Sequence, residues 1–299
     1  MPVLKPQPTL YMLNITPIFQ YSNILLIIPI FQYSIVTSNS SYMIHAMPTT
    51  SPRFAELDIA RTLAILMMIV YHIAFDLSYF FGVYDLKMNE GGWKILQLST
   101  VILFLILVGV SFVISWERTR ISGFRTAAAI WKYLKRGLLV FCCAMLITIA
   151  TYILDPSTYI RFGILHMIGI SIILLPFFRR FREWNVLIGL LIIIIGYSMT
   201  YIQDLIINFQ FQISNSQLFL PFGIIPPNFT TLDYYPLFPW FGIILIGVAL
   251  GDFFYIRSGI IPKPTNKITR ILSVPGRHAL LIYLIHQPII LTILNIYSS

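Results

Sequence analysis

Charge is scarce in this chain. Of its 299 residues only 10% are Asp, Glu, Lys or Arg, against roughly 25% in a domain that must coat itself for water. With 58% hydrophobic residues beside that figure, a soluble globular protein is excluded and a membrane protein is implied. Cysteine is almost absent. Cys142 and Cys143 are neighbours inside one apolar run, where adjacent backbone positions rarely meet disulfide geometry, so a disulfide framework and a cysteine-based metal site are excluded. Short alternating strands are missing too. The apolar runs are about 20 residues long rather than the ten-residue alternating segments of an outer-membrane barrel, which excludes that architecture. No P-loop, dinucleotide fingerprint, serine-nucleophile elbow or zinc helix motif is found, and no metal is expected.

What remains is a series of apolar runs near residues 57–81, 95–115, 136–154, 162–178, 185–203, 236–256 and 276–296. They predict an all-α, polytopic transmembrane helix bundle of seven spans. Basic residues gather in alternate connections. Arg118, Arg120, Arg125, Lys132, Lys135 and Arg136 lie between the second and third spans, Arg179, Arg180 and Arg182 between the fourth and fifth, and Arg257, Lys263, Lys267, Arg270 and Arg277 between the sixth and seventh. With Arg53 and Arg61 at the first span, these segments are cytoplasmic by the positive-inside rule. The opposite connections hold only Lys87, Lys94 and Arg161. The C-terminus and the long loop 204–235 are therefore expected outside, in a chain lying in the cytoplasmic membrane. Orientation accounts for the net charge of +9, and nucleic-acid binding is not needed to explain it.

Residues 1–52 form a separate apolar extension. Between Lys5 and Arg53 there is no Asp, Glu, Lys or Arg, and Pro17-Ile-Phe-Gln-Tyr-Ser22 recurs as Pro29-Ile-Phe-Gln-Tyr-Ser34. Two readings stand: a loose eighth span over 15–36, weakened by two prolines and several amides, or an over-extended start with Met43 or Met47 as initiator. Residues 53–299 make up the transmembrane domain proper.

The strongest chemical constellation lies on the first span. At about 100° per residue, Asp58, Arg61, His72, Asp76 and Tyr79 fall within a sector of roughly 60° while everything between them is apolar. Ionisable side chains at membrane depth are costly and face a bundle interior or a wet cavity. His72 and Asp76 stand at i and i+4, the spacing of a general base and an orienting carboxylate, though also of a pair that merely ties helices together. Arg161 and His166 begin the fourth span from the outer side, and Asp233, Tyr234, Tyr235 and Trp240 lead into the sixth from that side. Single Tyr and Trp residues at such depths commonly act as interfacial anchors. In the last span His286 lies mid-membrane near Pro288, while His278 sits at the cytoplasmic edge.

Four segments carry a family resemblance: Glu56-Leu-Asp-Ile-Ala-Arg-Thr-Leu-Ala-Ile-Leu-Met-Met-Ile-Val-Tyr-His72 with Asp76, Arg161-Phe-Gly-Ile-Leu-His-Met-Ile-Gly169, Tyr235-Pro-Leu-Phe-Pro-Trp-Phe-Gly242, and Gly276-Arg-His-Ala-Leu-Leu-Ile-Tyr-Leu-Ile-His-Gln-Pro288. In this order, from about Arg53 to the C-terminus, they resemble the catalytic domain of the heparan-alpha-glucosaminide N-acetyltransferase family of multi-pass membrane acyltransferases. The resemblance implies transfer of an acetyl group from cytoplasmic acetyl-CoA to a sugar amine or hydroxyl reached at the other face. Two departures are visible. Arg61 is followed by Thr62, where the wider set of membrane acyltransferases carries Gly. The histidine that eukaryotic members are thought to use after the first span has no counterpart in 80–94, which leaves His72 as the nearest substitute.

The expected activity is acyl transfer from acetyl-CoA, as co-substrate, to an envelope or lipid-linked glycan. His72 and Asp76 are the expected catalytic pair, and Arg61, Arg161, His166, Trp240 and His286 the expected substrate-binding residues. A proton-coupled transporter or other membrane-embedded binding protein could use the same polar seam, but no matched pair of Gly/Pro-broken half-spans supports it. Because residues 1–46 add no ionisable group to the seam, a chain beginning at Met47 is expected to insert and to match the full chain in activity. Insertion of the full chain alone, measured by membrane fractionation of both, would instead make 15–36 a true span.

Overall fold

The computed structural model describes residues 53–123, 126–208, 217–226, 229–260, 262 and 264–298. The N-terminal extension with its span over 15–36, and Arg125 and Lys263, lie outside the described residues. Within them the chain is helical: α1 (Ala55–Tyr79), α2 (Gly91–Ile121), α3 (Thr126–Leu154), α4 (Ile164–Phe178), α5 (Asn185–Asn208), α6 (Leu237–Gly251), α7 (Lys267–Leu272), α8 (Val274–Arg277) and α9 (Ala279–Ser298). Among the described residues there is one isolated bridge, Phe162 with Tyr234, and no strand.

Among the described residues six stretches are long and apolar enough to cross a membrane: Ala55–Tyr79, Gly91–Ile121, Thr126–Leu154, Ile164–Met199, Leu237–Arg257 and Ala279–Tyr297. The all-helical, multi-pass expectation therefore holds. The stretch Ile164–Met199 covers two of the seven apolar runs and contains a break. At Arg182 the backbone takes φ 48° and ψ −120°, and the Asn185 amide ties the corner by donating to the carbonyls of Phe178 (3.0 Å) and Arg182 (2.8 Å). At 31 residues, α2 is about 46 Å long, well beyond a hydrocarbon core of about 30 Å. Its Arg118 and Arg120 turn, outside the apolar run, therefore continues past the lipid. For the same reason α3 begins ten residues before its apolar run: Lys132, Lys135 and Arg136 interrupt the hydropathy but not the helix.

Ion pairs place the basic connections at one end of the bundle. Asp252, which follows α6, is buried; it accepts from Arg182 (3.3 Å) and forms ion pairs with Arg179 (2.8 Å) and Arg257 (3.8 Å). Arg257 also pairs with Glu183 (2.6 Å), and Glu117 at the end of α2 with Arg120 (2.5 Å). At the opposite end the segment before α4 runs beside the one before α6, through Leu232 N to Thr158 O (2.9 Å) and Tyr235 N to Phe162 O (3.1 Å).

Where helices cross, glycine sits. Without a hydrophobic drive between helices in lipid, close backbone approach supplies the packing. The α5/α6 crossing is reciprocal: a Cβ on Gly189 would lie 2.6 Å from the Gly242 carbonyl oxygen, and one on Gly242 would collide with that of Gly189. Gly137 on α3 and Gly169 on α4 make the same arrangement, while at the α2/α6 crossing a Cβ on Gly109 would collide with the Ile244 carbonyl oxygen and one on Gly247 with that of Ile106. Gly189→Val and Gly242→Val are each expected to lower the stability of the detergent-solubilised protein by about 1–3 kcal/mol through overpacking. Ile194→Val, at an exposed position of α5, should leave the denaturation midpoint unchanged.

Candidate active site

The polar face of α1 divides into two parts with different partners. At the basic end, Asp58 is buried and pairs with Arg61 and with Arg277 (3.4 Å), while Arg61 also donates to Ser111 Oγ of α2 (2.5 Å). Thr62 supplies its hydroxyl to the junction of α7 and α8: it accepts from Gly276 N (2.9 Å) and lies 2.7 Å from Leu272 O, which accepts its proton. A Cβ on Gly276 would collide with the Asp58 carbonyl oxygen, so this glycine is what lets α8 sit against α1. The threonine that replaces the wider family's glycine thus has a definite task here. Arg61 is committed to Asp58 and Ser111 and stands apart from the mid-membrane histidines in these contacts.

Three turns further along α1, the second part faces α9. Asp76 is fully buried, and both its oxygens accept from the side-chain amide of Gln287, at 2.8 and 2.9 Å. No hydrogen bond joins Asp76 to His72. Their i, i+4 spacing does put both on the inner face of α1, but an amide that reaches both oxygens from α9 takes the carboxylate. His72 instead meets the ring of His286, with centroids 4.9 Å apart and planes at 60°. His286 is buried, its Nδ1 lies 2.6 Å from the Tyr283 carbonyl, and its Nε2 has no partner; Nδ1 of His72 is likewise buried and unpartnered. Native structures pair nearly all buried polar atoms, so two orphaned ring nitrogens on histidines in ring contact make this pair the candidate site.

Toward the other end, His166 is fully engaged. Gly163 N donates to its Nδ1 (3.2 Å), which leaves the proton on Nε2, 3.3 Å from the Thr148 hydroxyl. Because Thr148 gives its own proton to Ile160 O (2.7 Å), the His166 Nε2–H donates to it. This histidine caps α4 and holds α3 to it. Asp233 completes the cap: its carboxylate accepts from Ile164 N (3.0 Å), in the space left because Gly163 has no side chain, and a negative charge suits a helix N-terminus. His166, Asp233 and Tyr283 line a cavity of about 10 Å³, room for a single water. Arg161 lies over the rings of Tyr159 (4.8 Å) and Phe229 (5.1 Å), and Trp240 meets Tyr235 edge-on at 5.0 Å.

The structure therefore brings His72 and His286 together, sets Asp76 one turn away on a different partner, and distributes Arg61, Arg161, His166 and Trp240 over other contacts. Sequence reasoning did not find Gln287, Tyr283 or the capping role of Asp233. A signal for the first was present: an amide beside a mid-membrane histidine is itself costly in lipid and calls for a polar partner such as an intramembrane carboxylate.

A multi-pass helical membrane protein with a histidine pair between α1 and α9 is the class defined by fold and candidate site. The family model for heparan-alpha-glucosaminide N-acetyltransferase, catalytic domain, matches residues 53–288, and the chain belongs to that family. It is accordingly a membrane protein of an acetyltransferase family. No curated protein and no solved structure matches the chain.

Asp233 generates a pH prediction. Burial pushes its carboxyl up to about 6 from 3.8, against the opposing pull of the Ile164 amide. The folded state then binds more protons than the unfolded state between those values, so this group's contribution to stability is complete below about 3.8 and is lost as pH rises through about 6. Thermal midpoints of the detergent-solubilised protein should carry that downward component between pH 4 and about 6, and Asp233→Asn should remove it. Identical pH profiles for the two proteins would contradict this reading of Asp233.

Proposed function

We propose that this protein transfers an acetyl group from cytoplasmic acetyl-CoA to an amine or hydroxyl of an envelope or lipid-linked glycan presented at the opposite face of the cytoplasmic membrane. The observation that carries the proposal is the His72–His286 ring contact between two apolar helices of spanning length, in a chain of an acetyltransferase family. In this reading the chain crosses seven times, with α4 and α5 as separate crossings. The corner at Arg182, the packing of α4 on α3 and of α5 on α6, and the convergence of the basic connections support it. The C-terminus then lies outside.

The basic end suits a phosphate-bearing donor. Arg179, Arg182 and Arg257 converge on the single carboxylate of Asp252, and guanidinium groups offer several donors each in a planar fork that fits phosphate oxygens. At the centre His72 removes the acceptor's proton while the acceptor attacks the thioester carbonyl. Asp76, clamped by Gln287, fixes the register of α1 against α9. An interhelical hydrogen bond in a membrane averages only about 0.6 kcal/mol, so its value here lies in position more than in stability. Arg161, held over two rings on the outer side, supplies positive charge near the acceptor's entry.

His72→Ala should abolish acetyl transfer, a loss of about 10²–10⁴ in rate, at unchanged yield of folded protein. Asp76→Asn should be impaired in the same step, because the amide no longer accepts from Gln287 at both positions. The check is turnover per folded molecule alongside detergent-stable yield. Normal turnover in His72→Ala overturns the mechanism.

A further inference from the structure

The two imidazoles between α1 and α9 are complementary in their protons. A carbonyl oxygen only accepts, so the 2.6 Å contact of His286 Nδ1 with Tyr283 O fixes the His286 proton on Nδ1. In the neutral ring the lone pair is then on Nε2, the buried atom without a partner. Opposite it lies the His72 ring, whose own buried and unpartnered atom is Nδ1. The rings meet edge-on with centroids 4.9 Å apart, so a turn of the His72 ring alone about its soft terminal torsion, with His286 left on Tyr283, is what a bond between the two orphaned nitrogens requires. A lone pair on one side is matched only by a proton on the other.

We propose that His286 is the residue that orients His72: His72 carries its proton on Nδ1, donates it toward His286 Nε2, and so presents Nε2 as the base. The proposal rests on the acyl-transfer reading for its chemical meaning, and gives His286 the part that local spacing assigned to Asp76. In the reaction the acceptor's O–H or N–H bond breaks as its heteroatom bonds to the acetyl carbon, and the proton forms an N–H bond at His72 Nε2. The resulting imidazolium shares its Nδ1 proton with His286 Nε2, which spreads the charge over a second ring whose own Nδ1–H is held by the Tyr283 carbonyl. Collapse of the tetrahedral adduct breaks the C–S bond, and the departing CoA thiolate takes up the proton from His72 as CoA thiol. His286 touches neither substrate; it is a positioning residue.

Solution imidazole favours the proton on Nε2, so the proposed state of His72 is the minority one and can be read directly. The full chain, labelled with ¹⁵N-histidine and held in lipid nanodiscs, has five histidines to resolve. In the wild type at neutral pH, both His72 and His286 should be Nδ1-protonated, with His166 the Nε2-protonated reference. His286→Gln keeps an acceptor and should leave the His72 proton on Nδ1, whereas His286→Ala should return it to Nε2. In the transfer assay His286→Ala should lose about 10²-fold in kcat at unchanged KM, and His286→Gln should regain part of it. A wild-type His72 protonated on Nε2 overturns the proposal, as does a folded His286→Ala protein with wild-type kcat. If His286→Ala yields no folded protein, the wild-type spectrum decides alone. Absence of acetyl transfer by the wild type would refute the proposed function, while the tautomers would still show whether His286 orients His72.

Discussion

The contact between α1 and α9 is the constraint on which the rest of the molecule depends. Inside lipid no water answers a polar side chain, so each one placed there must be met by another part of the protein. Asp76 is met by Gln287, and that bidentate bond sets the height and rotation of α9 against α1. The meeting of His72 with His286 then follows from helical geometry, because His286 precedes Gln287 by one residue and His72 precedes Asp76 by one turn. A slip of either helix by one residue would break both contacts together.

At the basic end a different set of forces holds the bundle. Asp58, Arg61, Arg277 and Ser111 join α1 to α2 and α8, and Thr62 and Gly276 allow the close approach. Asp252 gathers arginines from two connections. Toward the other end, His166 and Asp233 finish the N-terminus of α4, and two loop segments lie side by side. Between the two ends, glycines bring the helices into contact. The His72–His286 pair is thus held by helices and not by loops, which suits the proposed transfer of one proton.

Much of this was legible in the sequence, for reasons of length and cost. Apolar runs of about twenty residues favour helices of membrane-spanning length, so the helices from α1 to α6 and α9 were readable, as was the alternation of basic connections. The short helices α7 and α8 were missed because they are too polar and too brief to leave a periodic signal. His72 stood out because a titratable group at that depth is expensive. Its partner did not: the i, i+4 rule sees one helix at a time, and pointed to Asp76 when the true neighbour lies more than two hundred residues away on α9. His166 stood in the sequence as a candidate substrate-binding residue, yet both its nitrogens are committed to Gly163 and Thr148. Only the loop path, which brings Ile160, Gly163 and Asp233 around it, separates a capping histidine from one with an unpartnered ring nitrogen.

In the proposed reaction an acetyl group passes from a donor at the basic end to an acceptor at the other. The most direct measurement uses the full chain in sealed proteoliposomes of known orientation, with radiolabelled acetyl-CoA added on one side and membrane glycolipid supplied on the other. The account predicts a labelled amide or ester on the glycolipid only when acetyl-CoA faces the basic connections. Label transferred equally from either side, or no labelled product with correctly folded protein, would contradict it.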